Sequence, residues 1–323
     1  MLRVDVGVFA HNEAAGIAAM VAELARQTWQ GIDARIVILC NGCTDDTAAR
    51  ALSAGGVEVV DLAEGGKSRT WNRFVHGLSR RDADILIMAD ADIQMPDAGG
   101  MAALAQDLAA RPDLAVLNSR PVKDIAYRPV GLSALDRIIA AAGGGLDDWR
   151  TAICGQLYAI RADVARRYHL PIGLPVEDGF LRAMVLTDAL TNDGDIRLID
   201  GADMFHIYAS ERTIPALIRH QTRIVIGSAI NAAAFADLRS LAPELRHAAL
   251  ARAAGDDGWL AAMLARQLPR LPFGYVPVHF LTKRLSRMTL RRLPITLAGF
   301  FFDAIVYAIA QIRMARGVGA GFW

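Results

Sequence analysis

Cysteine is scarce, with three in 323 residues, too few for a disulfide framework and in keeping with a reducing compartment. Cys40 and Cys43 form a C-x-x-C, yet only Cys154 remains to complete a zinc set, and no thioredoxin-like pattern surrounds them. Both therefore read as small residues at a strand end. Charge of one sign is lacking too. Lys and Arg number 35 against 34 Asp and Glu, a net charge of +1, which excludes a general nucleic-acid partner. Met1–Ala10 contains Asp5 and has no long apolar run, so no signal peptide is expected and the chain starts on a strand. Internal repeats and low-complexity tracts are absent as well. Gly143-Gly144-Gly145 alone marks a mobile or tightly turned loop.

What is present is apolar residue. Hydrophobic residues make up 53% and the mean hydropathy is +0.26, high for a soluble enzyme and low for a multispan membrane protein. The length allows one large α/β core or two modest domains. The first half alternates apolar strands with amphipathic helices. Strands are expected at Val4–Ala10, Arg35–Cys40, Val57–Leu62, Asp84–Ala89 and Leu114–Asn118. Helices are expected at Glu13–Gln27, Thr44–Ser53, Lys67–Leu78 and Asp97–Ala110. Repeated βα units imply an α/β fold, a mostly parallel sheet flanked by helices. The second half is less regular. A strand at Gly155–Ile160 and a helix at Glu177–Thr187 precede short strands at Ile196–Ile199 and Ala202–Ile207. Long helical patterns follow at Ile214–Leu238 and Glu244–Leu268.

The most informative stretch is Met88-Ala89-Asp90-Ala91-Asp92. An apolar strand ends there in two carboxylates, at the place where open α/β sheets bind ligands. Two such oxygen donors suit a hard divalent cation that keeps its other positions for water and a substrate diphosphate. A helix cap is the plainer use of the same residues. The first βα junction carries His11-Asn12-Glu13. Its polar side chains either read a nucleotide edge or cap a helix. At the second junction, in Cys40-Asn41-Gly42-Cys43-Thr44-Asp45-Asp46-Thr47, Asp45 or Asp46 can bond a ribose hydroxyl or base nitrogen. Gly65-Gly66-Lys67-Ser68 is not a Walker loop, because Asp61 stands where the first glycine is required. The glycine pair still permits close backbone approach, and Lys67 can face a diphosphate or a base carbonyl, or serve as a solvated helix residue. Glu177-Asp178 opens a helix, as a catalytic base or as a cap. His206 lies in an apolar strand, as a core residue or as a further ligand to an incomplete metal site.

Taken in order, these motifs resemble the family-2 glycosyltransferases of GT-A fold, over roughly Val4 to Gly227. The resemblance implies that Asn12, Glu13, Asp45 and Lys67 line the nucleotide, while Asp90 and Asp92 face the diphosphate and its Mn²⁺ or Mg²⁺. It implies a donor-sugar segment at Gly155, a catalytic base at Asp178 and a metal ligand at His206. Glu177 and Arg223 fall beside the acceptor or diphosphate. Cys43 stands where the family usually has Ser. The Gln-x-x-Arg-Trp helix of the processive members is replaced by Arg219-His220-Gln221-Thr222-Arg223-Ile224, so transfer of a single sugar is expected rather than polymerisation. The partners implied are a nucleotide-diphosphate sugar donor and a lipid-linked or glycan acceptor. A nucleotidyltransferase would carry a Gly-rich Arg-Lys signature after the first strand, where this chain has His11-Asn12-Glu13. A non-catalytic binding protein would not need both Asp92 and Asp178.

The C-terminal part has its own signature. From Phe280 to Trp323 there are seven Lys or Arg and one acid, Asp303, a charge of +6. Residues 1–240 are expected to form the catalytic domain, nucleotide-binding to about 118 and acceptor-binding beyond. Residues 241–323 are expected to form a helical, basic, membrane-associating tail. Ile295–Ile312 spans 18 residues, close to the ~20 needed to cross a bilayer. Asp303 near its middle would cost about 2.5–3.5 kcal/mol there. An interfacial helix on an anionic surface, at the cytoplasmic face of the membrane, fits better. A helix packed on the catalytic domain is the alternative.

Overall fold

The computed structural model describes residues 1–133, 136–137, 139, 148–268, 274–285 and 293–317. Gly143-Gly144-Gly145, Arg287, Arg291 and Arg292 lie outside the described residues. Eight strands form one sheet in the order β3-β2-β1-β4-β7-β6-β8-β5. They are β1 (Leu2–Ala10), β2 (Ile32–Asn41), β3 (Glu58–Leu62), β4 (Ile85–Asp90), β5 (Ile93–Gln94), β6 (Val116–Lys123), β7 (Leu157–Arg161) and β8 (Ile199–Tyr208). β1, β2, β3 and β4 pair in parallel, as their helical crossover connections allow. β7 inserts antiparallel between β4 and β6, and β5 pairs antiparallel with β8. The fold is mixed α/β, and its antiparallel pairings all involve β7 or β5.

Apolar residues fill both faces of the central strands, as expected of strands covered on two sides. In β1, Val4, Val6, Val8 and Ala10 face the helices Ile17–Ala25 and Gly100–Ala110, while Phe9 faces the opposite layer. In β4, Ile85, Ile87 and Ala89 take the first face, and Leu86 and Met88 the second. This second core contains Trp71, Phe74, Phe180, Ile226 and Ile230 and continues without a break to Leu250, Met263, Val306 and Ala310. The C-terminal helices thus share a core with the sheet.

Several elements differ from the sequence expectation. The Lys67–Leu78 helix is regular only to Arg73 and ends in one π-helical turn, Phe74–Leu78. The two short strands after Ile196 are a 3₁₀ turn, Ile196–Leu198, and one ten-residue strand, β8. β6 holds that strand continuous by pairing with it from Val116–Ile199 to Lys123–Tyr208, across an irregularity between Asn118 and Arg120. The expected Glu244–Leu268 helix is broken into Pro243–Ala253 and Trp259–Gln267, at Gly255-Asp256-Asp257-Gly258. Ile214–Arg239 is a single helix, capped by Thr213, whose side chain accepts from the Ala216 amide.

Candidate active site

The carboxyl ends of β1, β2 and β4 converge, and the residues singled out in the sequence meet there. Lys67 is the hub. Its Nζ lies 2.6 Å from Asp90 Oδ1 and 3.4 Å from Glu177 Oε1, and it donates to the Gly155 carbonyl at 3.0 Å. Four separated segments are thereby tied together, because a glycine pair delivers Lys67 at the first turn of its helix and β4 delivers Asp90. The three charged side chains are only 15%, 22% and 13% exposed. Burial disfavours the Lys67 ammonium, but Asp90 and Glu177 outweigh it and hold its pKa above that of an ordinary lysine. Burial pushes the Asp90 carboxyl up to about 6, despite the opposing pull of Lys67. Asp90 is also anchored through its backbone, which donates to the Gln156 carbonyl at 2.8 Å.

Asp178 follows Glu177 at the start of the Glu177–Thr187 helix, with its Oδ1 accepting from the Gly179 amide at 2.7 Å. Burial and then the neighbouring Glu177 raise its pKa above the usual carboxylate range. It rests directly against Gly155, where an added Cβ would lie 3.1 Å from Asp178 Oδ2. Gly155 therefore serves twice, presenting a carbonyl to Lys67 and leaving space for Asp178. The turn before the acid pair is set from the Ile214–Arg239 helix. Asn231 Nδ2 donates to the Val176 carbonyl at 2.8 Å. A Cβ at Gly227 would come within 2.2 Å of Val176 Cγ2, so only glycine lets the helix approach this closely. Neither Asn231 nor Gly227 carried a signal in the sequence. Arg223, one turn earlier on that helix, is half-buried and near enough to Asp178 to lower its pKa.

Past the ends of β1 and β2, the side chains are largely committed to shaping loops. Asn12 has a left-handed φ of 56°. Its Oδ1 accepts from the Thr44 amide at 2.8 Å and the Thr44 hydroxyl at 3.3 Å. Asp45 accepts from the Thr47 amide at 3.0 Å, the Ala14 amide at 3.2 Å and the Thr47 hydroxyl. These bonds, that of the Thr47 side chain first, hold the Asp45 carboxyl below its ordinary pKa. The Glu13 amide donates to Thr47 Oγ1 at 2.8 Å. Burial, then Asp92, Asp45 and Asp90, raise the Glu13 pKa. Burial is the larger cause, and the neighbouring acids add to it. Asn41, which sequence reasoning passed over, is fully buried; its Oδ1 accepts from Thr70 at 2.9 Å and its Nδ2 has no partner among the described residues.

The acids that could take a divalent cation are Asp92, which is exposed, and Asp90, which is shared with Lys67. Among the described residues no group of three or more His, Cys, Asp and Glu side chains stands ready to hold one. The pair fits Mg²⁺ or Mn²⁺ as partial ligands, with water and substrate oxygens completing the shell. His206 does not join them in a ligand cluster. It is fully buried, with Nδ1 2.9 Å from Ser119 Oγ and Nε2 3.1 Å from Gln156 Oε1. Burial lowers its pKa to about 4, leaving a neutral ring with both nitrogens engaged.

A family model for glycosyl transferase family 2 matches residues 5–171, just over half of the chain. The chain belongs to that family and is a glycosyltransferase. In overall fold it is similar to the mannosyltransferase PcManGT from Pyrobaculum calidifontis, solved in complex with GDP-Man and Mn²⁺. That likeness has 16% identity and a TM-score of 0.55, over 97% of this chain and 86% of that one. A glucosyl-3-phosphoglycerate synthase from Mycobacterium tuberculosis, solved with Mn²⁺, UDP-glucose and phosphoglyceric acid, is 20% identical. It covers 69% of this chain and 78% of its own, with a TM-score of 0.48. No curated protein sequence matches the chain.

Proposed function

We propose that this glycosyltransferase moves one sugar from a nucleoside-diphosphate sugar to an acceptor hydroxyl, with inversion, using Mn²⁺ or Mg²⁺ at Asp92 and Asp90. The observation that carries the reading is the Lys67 hub, which joins a donor-side acid, Asp90, to the acid pair Glu177-Asp178. Glu13 and Asn12 lie along the nucleotide, with Asp45 bracing that wall. The cation, when bound, offsets the negative charge that grows on the leaving diphosphate. Lys67 orients Asp90 and the Gly155 carbonyl and adds fixed positive charge to the same region. Asp178 takes the acceptor proton. Its raised pKa makes it a stronger base than an ordinary aspartate while it stays ionised near neutral pH. A base on the face opposite the leaving group gives a single displacement, which inverts the anomeric centre.

The exposed side of the Leu293–Ala315 helix supports a membrane-surface location. Leu297, Phe301, Ile305 and Ile312 are 42–66% exposed along one stripe, whereas Asp303 and Gln311 are buried at 5% and 1%. Gln311 accepts from the Tyr275 amide at 3.0 Å and donates to the Val276 carbonyl at 2.9 Å. The polar residues that would oppose lipid thus face protein, while Leu297, Phe301, Ile305 and Ile312 face outward. No described helix is long and apolar enough to cross a membrane. An interfacial helix preceded in the sequence by Lys283, Arg284, Arg287, Arg291 and Arg292 suits an anionic membrane surface, as at the cytoplasmic face, and a lipid-linked or amphipathic acceptor.

Asp178→Asn tests the chemistry. It keeps size and removes the basic lone pair, so nucleotide-sugar binding should persist while transfer falls by roughly 10²–10⁴. In the wild type, transfer should decline as pH falls through the raised Asp178 pKa. A mutant retaining full turnover, or a wild-type rate flat down to the ordinary aspartate pKa, would sink the assignment.

A further inference from the structure

A second recess opens beyond the Asp90–Asp92 turn, on the acceptor-side half of the sheet. Its volume is about 200 Å³, and Gln94, Asp124, Tyr127, Arg128, Ile207 and Arg212 line it. That is room for a small headgroup, given about 30 Å³ per water. Gln94 ties it to the catalytic turn. Asp92 and Gln94 are exposed while Ala91, Ile93 and Met95 are buried, so the two exposed side chains share one face of an extended segment. β5 then pairs with β8 through Gln94 and Ile207, which brings that face to the recess.

The recess is lined for negative charge. Its one carboxylate, Asp124, is already spent on the chain's own donors. It accepts from the Ile125 amide at 2.8 Å, the Ser210 amide at 3.0 Å and Arg212 at 2.6 Å. Arg212 is held in place by that pair yet remains 51% exposed, with further N–H groups to offer. Arg128 meets no carboxylate among the described residues and lies over the Tyr127 ring at 5.5 Å. Tyr127 packs on Phe205 at 5.7 Å, and Arg120 lies over Phe205, again at 5.7 Å. Arg128 and Arg120 thus each lie over one of two neighbouring aromatic rings, and Arg128 is the one that lines the recess. A neutral ligand would leave the Arg128 charge uncompensated, whereas Arg212 already pairs with Asp124. A phosphate or carboxylate would engage their forks directly.

Resting on the transferase reading above, we infer that this recess binds the anionic headgroup, a phosphate ester or carboxylate, of the acceptor. Arg128 supplies the principal contact, Arg212 the second, and the Tyr127 ring a wall for the adjoining carbon chain.

Binding of 4-fluorophenyl phosphate to the full chain, read from its ¹⁹F line width, tests this, with 4-fluorophenol as the uncharged control. UDP and GDP with Mg²⁺ are present to fill the donor site. The phosphate should bind and the phenol should not. Arg128→Gln should weaken binding on the order of tenfold or more, with Arg128→Lys intermediate because charge survives without the fork. Circular-dichroism melts of both variants should match the wild type. Equal binding by wild type and Arg128→Gln, or equal binding of phosphate and phenol, overturns the assignment. Displacement of the probe by decyl phosphate below the concentration needed of glycerol 3-phosphate identifies a lipid headgroup. The reverse order identifies a soluble ester, and displacement by neither overturns the site. Nucleotide binding, measured separately by calorimetry, reports on the donor reading. Its failure beside intact, Arg128-dependent phosphate binding would refute that reading and not this one.

Discussion

Replacing Lys67 by Met tests whether the hub holds the site together. The ammonium sits between Asp90 and Glu177, at 2.6 and 3.4 Å, and removing it leaves two shielded carboxylates uncompensated. Breaking a buried pair from one side costs about 3–5 kcal/mol. The low end applies, because the three side chains keep 13–22% exposure. For a chain of this size about 3 kcal/mol corresponds to a Tm loss of roughly 4 °C. The loss should depend on pH, in a direction the structure dictates. Asp90 already has a folded pKa of about 6 with Lys67 pulling it down, so without Lys67 the value rises further. A carboxyl whose folded pKa exceeds its unfolded value is tolerated when protonated and penalised as pH rises through the folded pKa. Melts of Lys67→Met should therefore fall further below wild type at pH 8.5 than at pH 5.5. An equal deficit at both pH values would mean that the electrostatic account is wrong. No deficit at either would mean that the hub is a surface contact.

The exposed member of the acid pair gives the complementary result. Asp92→Asn should leave Tm almost unchanged, since exposed substitutions away from special features stay within about 0.5 kcal/mol. Transfer should drop on the order of 10²–10³, and full activity of the wild type in excess EDTA would remove the cation from the reaction. On the C-terminal helix, Phe301→Glu with Ile305→Glu charges the outward stripe without touching the buried Val306 and Ala310. Flotation with anionic liposomes should be lost at unchanged Tm, and undiminished flotation would refute the docking face. Deleting the helix is the poorer experiment, because Val306 and Ala310 belong to the main core.

How far the site was legible from sequence depended on how local each relationship is. Strand-end position is local. Asp90, Asp92, Lys67 and Glu177-Asp178 could all be flagged from apolar runs and the residues just past them, and the fold class followed from alternating βα units. Pairing is not local. Lys67 was expected to face a diphosphate, and the structure also ties it to Asp90, Glu177 and the carbonyl of Gly155, 88 residues away. His206 looked like a spare ligand because its partners, Ser119 and Gln156, lie 87 and 50 residues away. The antiparallel direction of β7 was invisible for a similar reason. A strand's apolar pattern reads alike in both directions, and only its neighbours β4 and β6 fix its sense.

Small residues were the least legible, although they set the tolerances of the site. Gly227 and Asn231 sit in a long helix whose sequence suggests nothing beyond packing, yet both act on Val176, the residue before the acid pair. Their effect comes from closeness of approach, which a one-dimensional pattern does not encode. The same holds for the tail. Its sequence reads as one apolar segment spoiled by Asp303, but the helix turns Asp303 inward and its large apolar side chains outward. Hydropathy averaged along a segment discards that distinction, and the distinction separates a helix that crosses a bilayer from one that lies on it. Which face the tail exposes depends on what the protein already covers, here the side packed against the Ile214–Arg239 helix, rather than on the tail's own composition.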